Sequence, residues 1–385
     1  MMEVKAGFNG ARLKAARLYR GLTIADVASM SDVSKQAISQ FENGKTEPKL
    51  ETLMRLTQVL LFPREYFYEK TQKKISIGDT YFRSLASTTN KERLIQIECV
   101  KLLVAIYKAI DEYIAFPKLN LYTVPENFDF DMEKLAREVR SYWKLGNKKI
   151  PNIINVLETN GVIVNTRFTN GKKIDAYSQI ERIDDETIAV IILGDDKENA
   201  FRRNFSAAHE LGHLLLDDFF DIEGMSKLEY KEMEDMMNRF AGALLVPEQV
   251  YRLELQTNLK TELNFYIELK QKYGVSAAAL IVRARQLGEL SINQYQYLMK
   301  QLSQKGYRTC EPYDRETKQM KPRYLKEAIK MIIEEDKVSG REFLETLSLN
   351  GVTLSEDIVE NILNLEHGYL SMNDAMGDVL TLERR

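Results

Sequence analysis

Residues 209–213 read His209-Glu210-Leu211-Gly212-His213, in a chain of 385 residues that contains 3 histidines in all. Two of the three therefore stand four residues apart, with a glutamate directly after the first. On a helix, positions i and i+4 share a face, so both imidazoles can reach a single metal ion. Glu210 is turned by about 100° from His209, close enough to contact a metal-bound water without being a ligand itself. Zinc hydrolases use this spacing to activate water. Phe205-Ser206-Ala207-Ala208 before the pair and Leu214-Leu215-Leu216 after it make the helix mostly apolar, which suits a buried helix. Asp217 and Asp218 open an acidic stretch through Glu223-Gly224, where the helix must end.

Two histidines leave a tetrahedral zinc one protein ligand short if a position is to stay open for water. His367 is the remaining histidine and lies in a different compositional region, so a carboxylate is expected as the third ligand. The next helix is expected over 226–246, with Pro247 marking its break. Its apolar stripe is Met233, Met236, Met237, Phe240 and Leu244. Glu234 flanks that stripe, whereas Glu229 and Glu232 sit nearer the solvent side. Spacing leans towards Glu234 without settling the choice.

Several separated segments resemble the ImmA/IrrE-type metallopeptidases. They are the run 205–216, then Glu234 followed by Asn238-Arg239-Phe240-Ala241, and Leu244-Leu245-Val246-Pro247. Upstream, Ala136, Arg140, Trp143, Leu145-Gly146, Leu157-Glu158, Gly161 and Asp175-Ala176-Tyr177-Ser178 also look like that family. The resemblance covers roughly residues 128–290. It implies zinc ligands His209, His213 and Glu234, with manganese as an alternative ion, and Glu210 as general base. It also implies a protein substrate, a helix-turn-helix repressor or antitoxin, and derepression of genes under stress. Met237 stands where the family usually has alanine, a departure that bears on packing more than on ligation.

The amino terminus carries an independent pattern. Residues 9–62 show helical periodicity with short breaks. Leu13, Ala16 and Leu18 belong to a first helix ending near Gly21. Thr23 can cap a second helix over 24–29, a turn passes through Met30-Ser31-Asp32, and Ser34 caps a third helix over 35–43. This is helix-turn-helix spacing. Val33, Ile38 and Phe41 are expected to pack inward. Lys35, Gln36, Ser39 and Gln40 then point outward near the helix start, where base edges of double-stranded DNA are contacted. Val33-Ser34, Ile38-Ser39, Phe41-Glu42-Asn43-Gly44, Pro48, Leu53 and Leu56 resemble the Xre-type helix-turn-helix family. Ile24 departs from it, because these proteins often carry there a glutamine that touches DNA phosphate.

Charge agrees with that division. Residues 1–70 hold 11 Lys and Arg against 8 Asp and Glu, so +3, while the whole chain is −3. A mildly basic head on an acidic body suits local DNA contact. With 2 cysteines, no disulfide framework is expected. Residues 1–20 are charged throughout, unlike a secretory signal, and no apolar run approaches about 18 residues. A cytoplasmic location without membrane contact is expected.

The fold expected is mainly α. It comprises an N-terminal helix-turn-helix domain (1–72), a linker and long connecting helix (73–127), an α+β zincin-like metallopeptidase domain with a small sheet (128–290), and a helical C-terminal module (291–385). The linker is read at 71–77, followed by Tyr81-Phe82-Arg83. The connecting helix is read over 91–116, stopped by Pro117, its apolar face serving as core or as a homodimer contact. Strands are read at Val162-Ile163-Val164 and over 188–193, with turns around Gly171 and Asp184. The function expected is a DNA-binding regulator with a zinc endopeptidase. The alternative is a transcription factor whose peptidase-like domain is a non-catalytic sensor of a ligand or partner.

Overall fold

The computed structural model describes residues 7–69, 90–167, 176–183, 186–195, 199–221 and 224–372. The linker read at 71–77, Tyr81-Phe82-Arg83, Asp175 and the turn positions Gly171 and Asp184 lie outside the described residues. What is described falls into two compact units. One draws on residues up to 116 and again on those from 323 onward, the other on 117–322.

The first unit opens with α1 (Gly10–Tyr19), α2 (Ile24–Ser31), α3 (Lys35–Glu42), α4 (Leu50–Leu60) and α5 (Asn90–Asp111). Local chemistry sets the boundaries. Thr23 and Asp26 close a capping box at the start of α2, and Ser34 accepts the Ala37 N–H at the start of α3. Asp32, left-handed at φ 53°, ends α2 two residues later than the sequence pattern suggests. Leu13, Ala16, Val27, Ile38, Leu53 and Leu56 are wholly buried and form the shared core. The connecting helix stops at Asp111, short of the expected 116. There Tyr113 N–H turns back to the Ile110 carbonyl at 3.0 Å, and the Asp111 carboxylate accepts the Phe116 N–H at 3.1 Å. Pro117 bars helical backbone just beyond.

The second unit contains α6 (Met132–Tyr142), α7 (Ile153–Thr159), β1 (Ile163–Arg167), β2 (Ala176–Ile183), β3 (Glu186–Gly194), α8 (Ala200–Leu215) and α9 (Lys227–Leu245). It continues through α10 (Glu248–Glu254), α11 (Leu263–Tyr273), α12 (Ala277–Gln286) and α13 (Ile292–Gln304). The strands run in the order β1-β3-β2, with β1 parallel to β3 (Ile163 opposite Val190) and β2 antiparallel to it (Ser178 opposite Ile191). Val164, Ile180, Ala189 and Ile191 share one core with Leu211, Met237, Phe240 and Leu280. The β2 strand is absent from the sequence reading. Its buried Gln179 and Glu181 interrupt the apolar alternation by which a strand is recognised.

The C-terminal region divides where the sequence reading kept it whole. In the second unit, α13 buries Leu298 and Leu302 in the common core. Beyond it, Glu311 accepts the Ala277 and Ala278 N–H groups at 2.8 and 3.1 Å, and together with Asp314 it pairs with the fully buried Lys270. The chain then returns to the first unit as α14 (Tyr324–Glu334), α15 (Gly340–Leu349), α16 (Glu356–Leu363) and α17 (Tyr369–Met372). Here α14 and α15 pack on α5, while Arg12 on α1 donates to the Gly351 carbonyl at 2.7 Å.

Candidate metal centre and nucleic-acid interface

Asn199 caps α8 by accepting the Arg202 N–H at 3.0 Å, and from there the apolar face of the helix runs into the core. That packing buries His213 and Glu210 and leaves His209 partly covered. Helix α9 starts at a capping box between Ser226 and Glu229, and buries Met233, Met237 and Phe240. The two helices approach closely at Gly212. A Cβ there would lie 3.0 Å from Met237 Sδ and from Phe240 Cδ1. The methionine that departs from the alanine expected by resemblance thus fills the notch left by the glycine.

Glu234 on α9 faces the two histidines. Its Oε2 lies 3.3 Å from His209 Nε2, its Oε1 lies 3.4 Å from His213 Nε2, and the two Nε2 atoms are 3.1 Å apart. A tetrahedral ion with bonds of about 2.0–2.1 Å to nitrogen or oxygen spaces its ligand atoms by about 3.3–3.4 Å, so these side chains lie close enough to hold one metal ion. Glu229 and Glu232, the other carboxylates considered from the sequence, do not join the cluster among the described residues. A second group of titratable side chains sits in the first unit, where exposed His367 lies 3.1 Å from Asp357. Its Glu360 accepts the Gly368 and Leu370 N–H groups at 2.8 and 2.9 Å and so holds a turn.

Around the triangle, neighbours fix each side chain. His209 Nδ1 lies 3.1 Å from Asn238 Oδ1, within hydrogen-bond distance, and its Nε2 faces Glu234. Tyr230 donates to Glu234 Oε1 at 3.1 Å. Among the described residues His213 Nδ1 is buried without a hydrogen-bond partner, while Nε2 faces the cluster. Ser178, buried on β2, donates to Glu210 Oε2 at 2.7 Å. Sequence reasoning gave Ser178, Asn238 and Tyr230 no role. Tyr230 and Asn238 stand four residues on either side of Glu234, a spacing that places all three on one helical face.

Electrostatics separates the two rings. Burial pulls His209 towards its neutral form, but the Glu234 hydrogen bond and the Glu210 and Glu234 charges outweigh it and raise its pKa. Burial dominates at His213, with the His209 charge adding to it, and lowers that pKa. Burial alone would raise Glu234, yet its hydrogen bonds to both histidines hold it well below the usual carboxylate range.

In the first unit, α3 exposes Lys35 and Gln36 to solvent, with Ser39 and Gln40 partly exposed beside them. Asn43 donates to the Ser39 carbonyl at 2.7 Å and closes the end of the helix. Ile38 and Phe41 pack inward as the pattern suggests, while Val33 is half-buried. Two contacts invisible in the periodicity fix α3 to α1. Arg17 binds Glu42 through two hydrogen bonds of 2.5 and 2.9 Å, both side chains nearly buried. A Cβ on Gly10 would lie 2.0 Å from the Phe41 carbonyl oxygen, so only glycine permits that approach.

The first unit thus carries a helix-turn-helix fold, and the second an α+β fold with a His-Glu cluster between two packed helices. Residues 13–67 match the family model described as helix-turn-helix, and residues 160–285 match that of peptidase family M78, described as the IrrE N-terminal-like domain. The chain accordingly joins a segment similar to Xre-type helix-turn-helix proteins to one similar to the IrrE-like metallopeptidases. No curated protein matches the chain. No described helix is long and apolar enough to cross a membrane.

Proposed function

We propose that the chain is a cytoplasmic DNA-binding regulator whose second unit is a zinc-dependent endopeptidase, with manganese as an alternative ion. Its substrate is a helix-turn-helix repressor or antitoxin-like protein, and cleavage switches genes on in a stress response. The observation that carries this reading is the closure of His209, His213 and Glu234 into one triangle beside an oriented Glu210.

In this reading His209, His213 and Glu234 hold the ion. When bound, it polarises the scissile carbonyl and lowers the pKa of its water towards about 7. Glu210 would serve as the general base, accepting a proton from water and returning it to the leaving amine. Ser178 donates to Oε2 of Glu210 and so fixes how the carboxylate is turned. Asn238, within hydrogen-bond distance of His209 Nδ1, leaves Nε2 for the ion. The β2 strand lies at the edge of the sheet and carries Ser178, so a substrate added along it meets Glu210 through main-chain pairing.

A purely sensory domain would need no base beside its ligands, whereas Glu210 is buried, oriented and adjacent to them. The test is incubation with the product of the neighbouring gene, with and without zinc, comparing wild type with Glu210→Ala. Zinc-dependent cleavage by the wild type alone supports the reading, and equal cleavage by both proteins overturns it.

A further inference from the structure

The β2 edge explains how a polypeptide backbone is held but gives no selectivity, since main-chain pairing accepts almost any extended segment. Two loops of the second unit supply a candidate for it. Phe130 packs its ring, tilted or edge-on, against Phe128, Phe219 and Phe220, with centroids 5.5, 6.1 and 5.6 Å away. Phe128 is buried and Phe219 and Phe220 partly so, whereas Phe130 remains 41% exposed. Its φ is 59°, a region bulky residues rarely adopt, so the chain holds this ring at the surface against its own backbone preference. Phe130 is thus the exposed member of an otherwise buried or half-buried ring cluster, an apolar contact point set among charged residues.

The two loops are acidic. Residues 124–131 and 216–221 contain no Lys or Arg, and Glu126, Asp129, Asp131, Asp218 and Asp221 are all exposed. Such a field repels nucleic acid and acidic peptides and attracts lysine- and arginine-rich ones. The cluster is also joined to the strand. Arg182 on β2 pairs with Asp218 at 3.3 Å and Asp217 at 3.8 Å, while Ser178 on the same strand holds Glu210. Four residues of strand span about 13 Å.

From these features we infer that the Phe128–Phe130–Phe219–Phe220 cluster docks a basic segment of the protein substrate through one apolar anchor. That anchor lies about four residues from the bond presented to Glu210, the strand distance from Ser178 to Arg182. The inference rests on the endopeptidase reading and narrows its substrate to a basic polypeptide, as a DNA-binding protein is.

The probe is a short fluorescein-labelled peptide with one phenylalanine set among lysines. Its controls replace the phenylalanine by serine or the lysines by glutamates. Anisotropy titration of the full chain should show preference for the first peptide, fading as salt rises. Phe130→Ser and Asp218→Lys should each weaken binding by about tenfold while leaving zinc content unchanged, and Glu210→Gln should bind as the wild type does. No binding by the wild type, equal binding of the three peptides, or unchanged affinity in both surface variants would overturn the docking site. Selective capture by a chain that cleaves no protein would overturn the endopeptidase reading alone. Zinc-dependent cleavage without discrimination among the peptides would overturn the docking site alone.

Discussion

The Ser178 hydroxyl on β2 donates to Glu210 Oε2 on α8 across 2.7 Å, with both side chains at least nine-tenths buried. A hydrogen bond to a buried carboxylate contributes about 1.5–3 kcal/mol, more than a neutral one, and it restricts where the other oxygen points. Ser178→Ala should therefore lower kcat by at least about tenfold with KM little changed, if that restriction acts in the transition state. Ser178→Thr, which keeps the hydroxyl and suits a strand, should recover most of the rate. Elemental analysis alongside the kinetics should find the same zinc content in all three proteins. Loss of zinc in Ser178→Ala would move the residue from positioning the base to holding the site together.

Zinc affinity should rise with pH in a defined way. A ligating imidazole must be neutral, and His209 holds its proton to a higher pH than an ordinary histidine because Glu234 and Glu210 outweigh its burial. Below that raised pKa, binding displaces one proton from His209, so affinity should fall by about tenfold per pH unit. Above it, the dependence on this group should vanish. Competition titrations with a chelator across neutral and mildly acidic pH check the sign. Affinity that strengthens on acidification would contradict it.

On the proposed DNA-contacting surface, exposed Gln36 of α3 and Lys49, which precedes α4, should separate specificity from general affinity. Gln36→Ala should cost about 1–3 kcal/mol and relax preference at one base, whereas Lys49→Ala should weaken all sequences alike. Binding selections on random duplexes distinguish the two. Arg17→Ala tests the support beneath them. It leaves Glu42 unpaired near the core, at a cost of about 3–5 kcal/mol, and should loosen α3 from α1 before any base contact is lost.

The metal cluster was legible because it rests on local periodicity. Two histidines one turn apart need only a helix to meet, and α8 supplies it. Glu234 needed more, since Glu229 and Glu232 are separated from it only by which face of α9 packs, a property of the tertiary contact at Gly212 and Met237. Strand β2 escaped notice because Gln179 and Glu181 are buried polar residues in a place where alternation expects apolar ones. Ser178 and Glu210 are 32 positions apart, and no sequence spacing reports such a pair. The helix-turn-helix was readable from its caps, Thr23 and Ser34, which act within one turn.

The C-terminal region escaped for the same reason, and its division has a measurable consequence. Because α14 and α15 pack on α5 and Arg12 bonds to Gly351, the described residues 323–372 support the helix-turn-helix unit. Deleting them should lower the melting temperature of that unit and weaken duplex binding, while zinc stoichiometry stays at the wild-type value. An unchanged affinity for DNA in the truncated chain would show that these helices are dispensable to the reader.

The most direct test of the central claim is metal content measured by elemental analysis on three purified proteins: wild type, His209→Ala and Glu210→Gln. About one zinc or manganese ion per chain is expected in the wild type and in Glu210→Gln, which keeps all three ligands, and none in His209→Ala. Equal metal in the His209→Ala protein would contradict the assignment of His209, His213 and Glu234 as the metal centre.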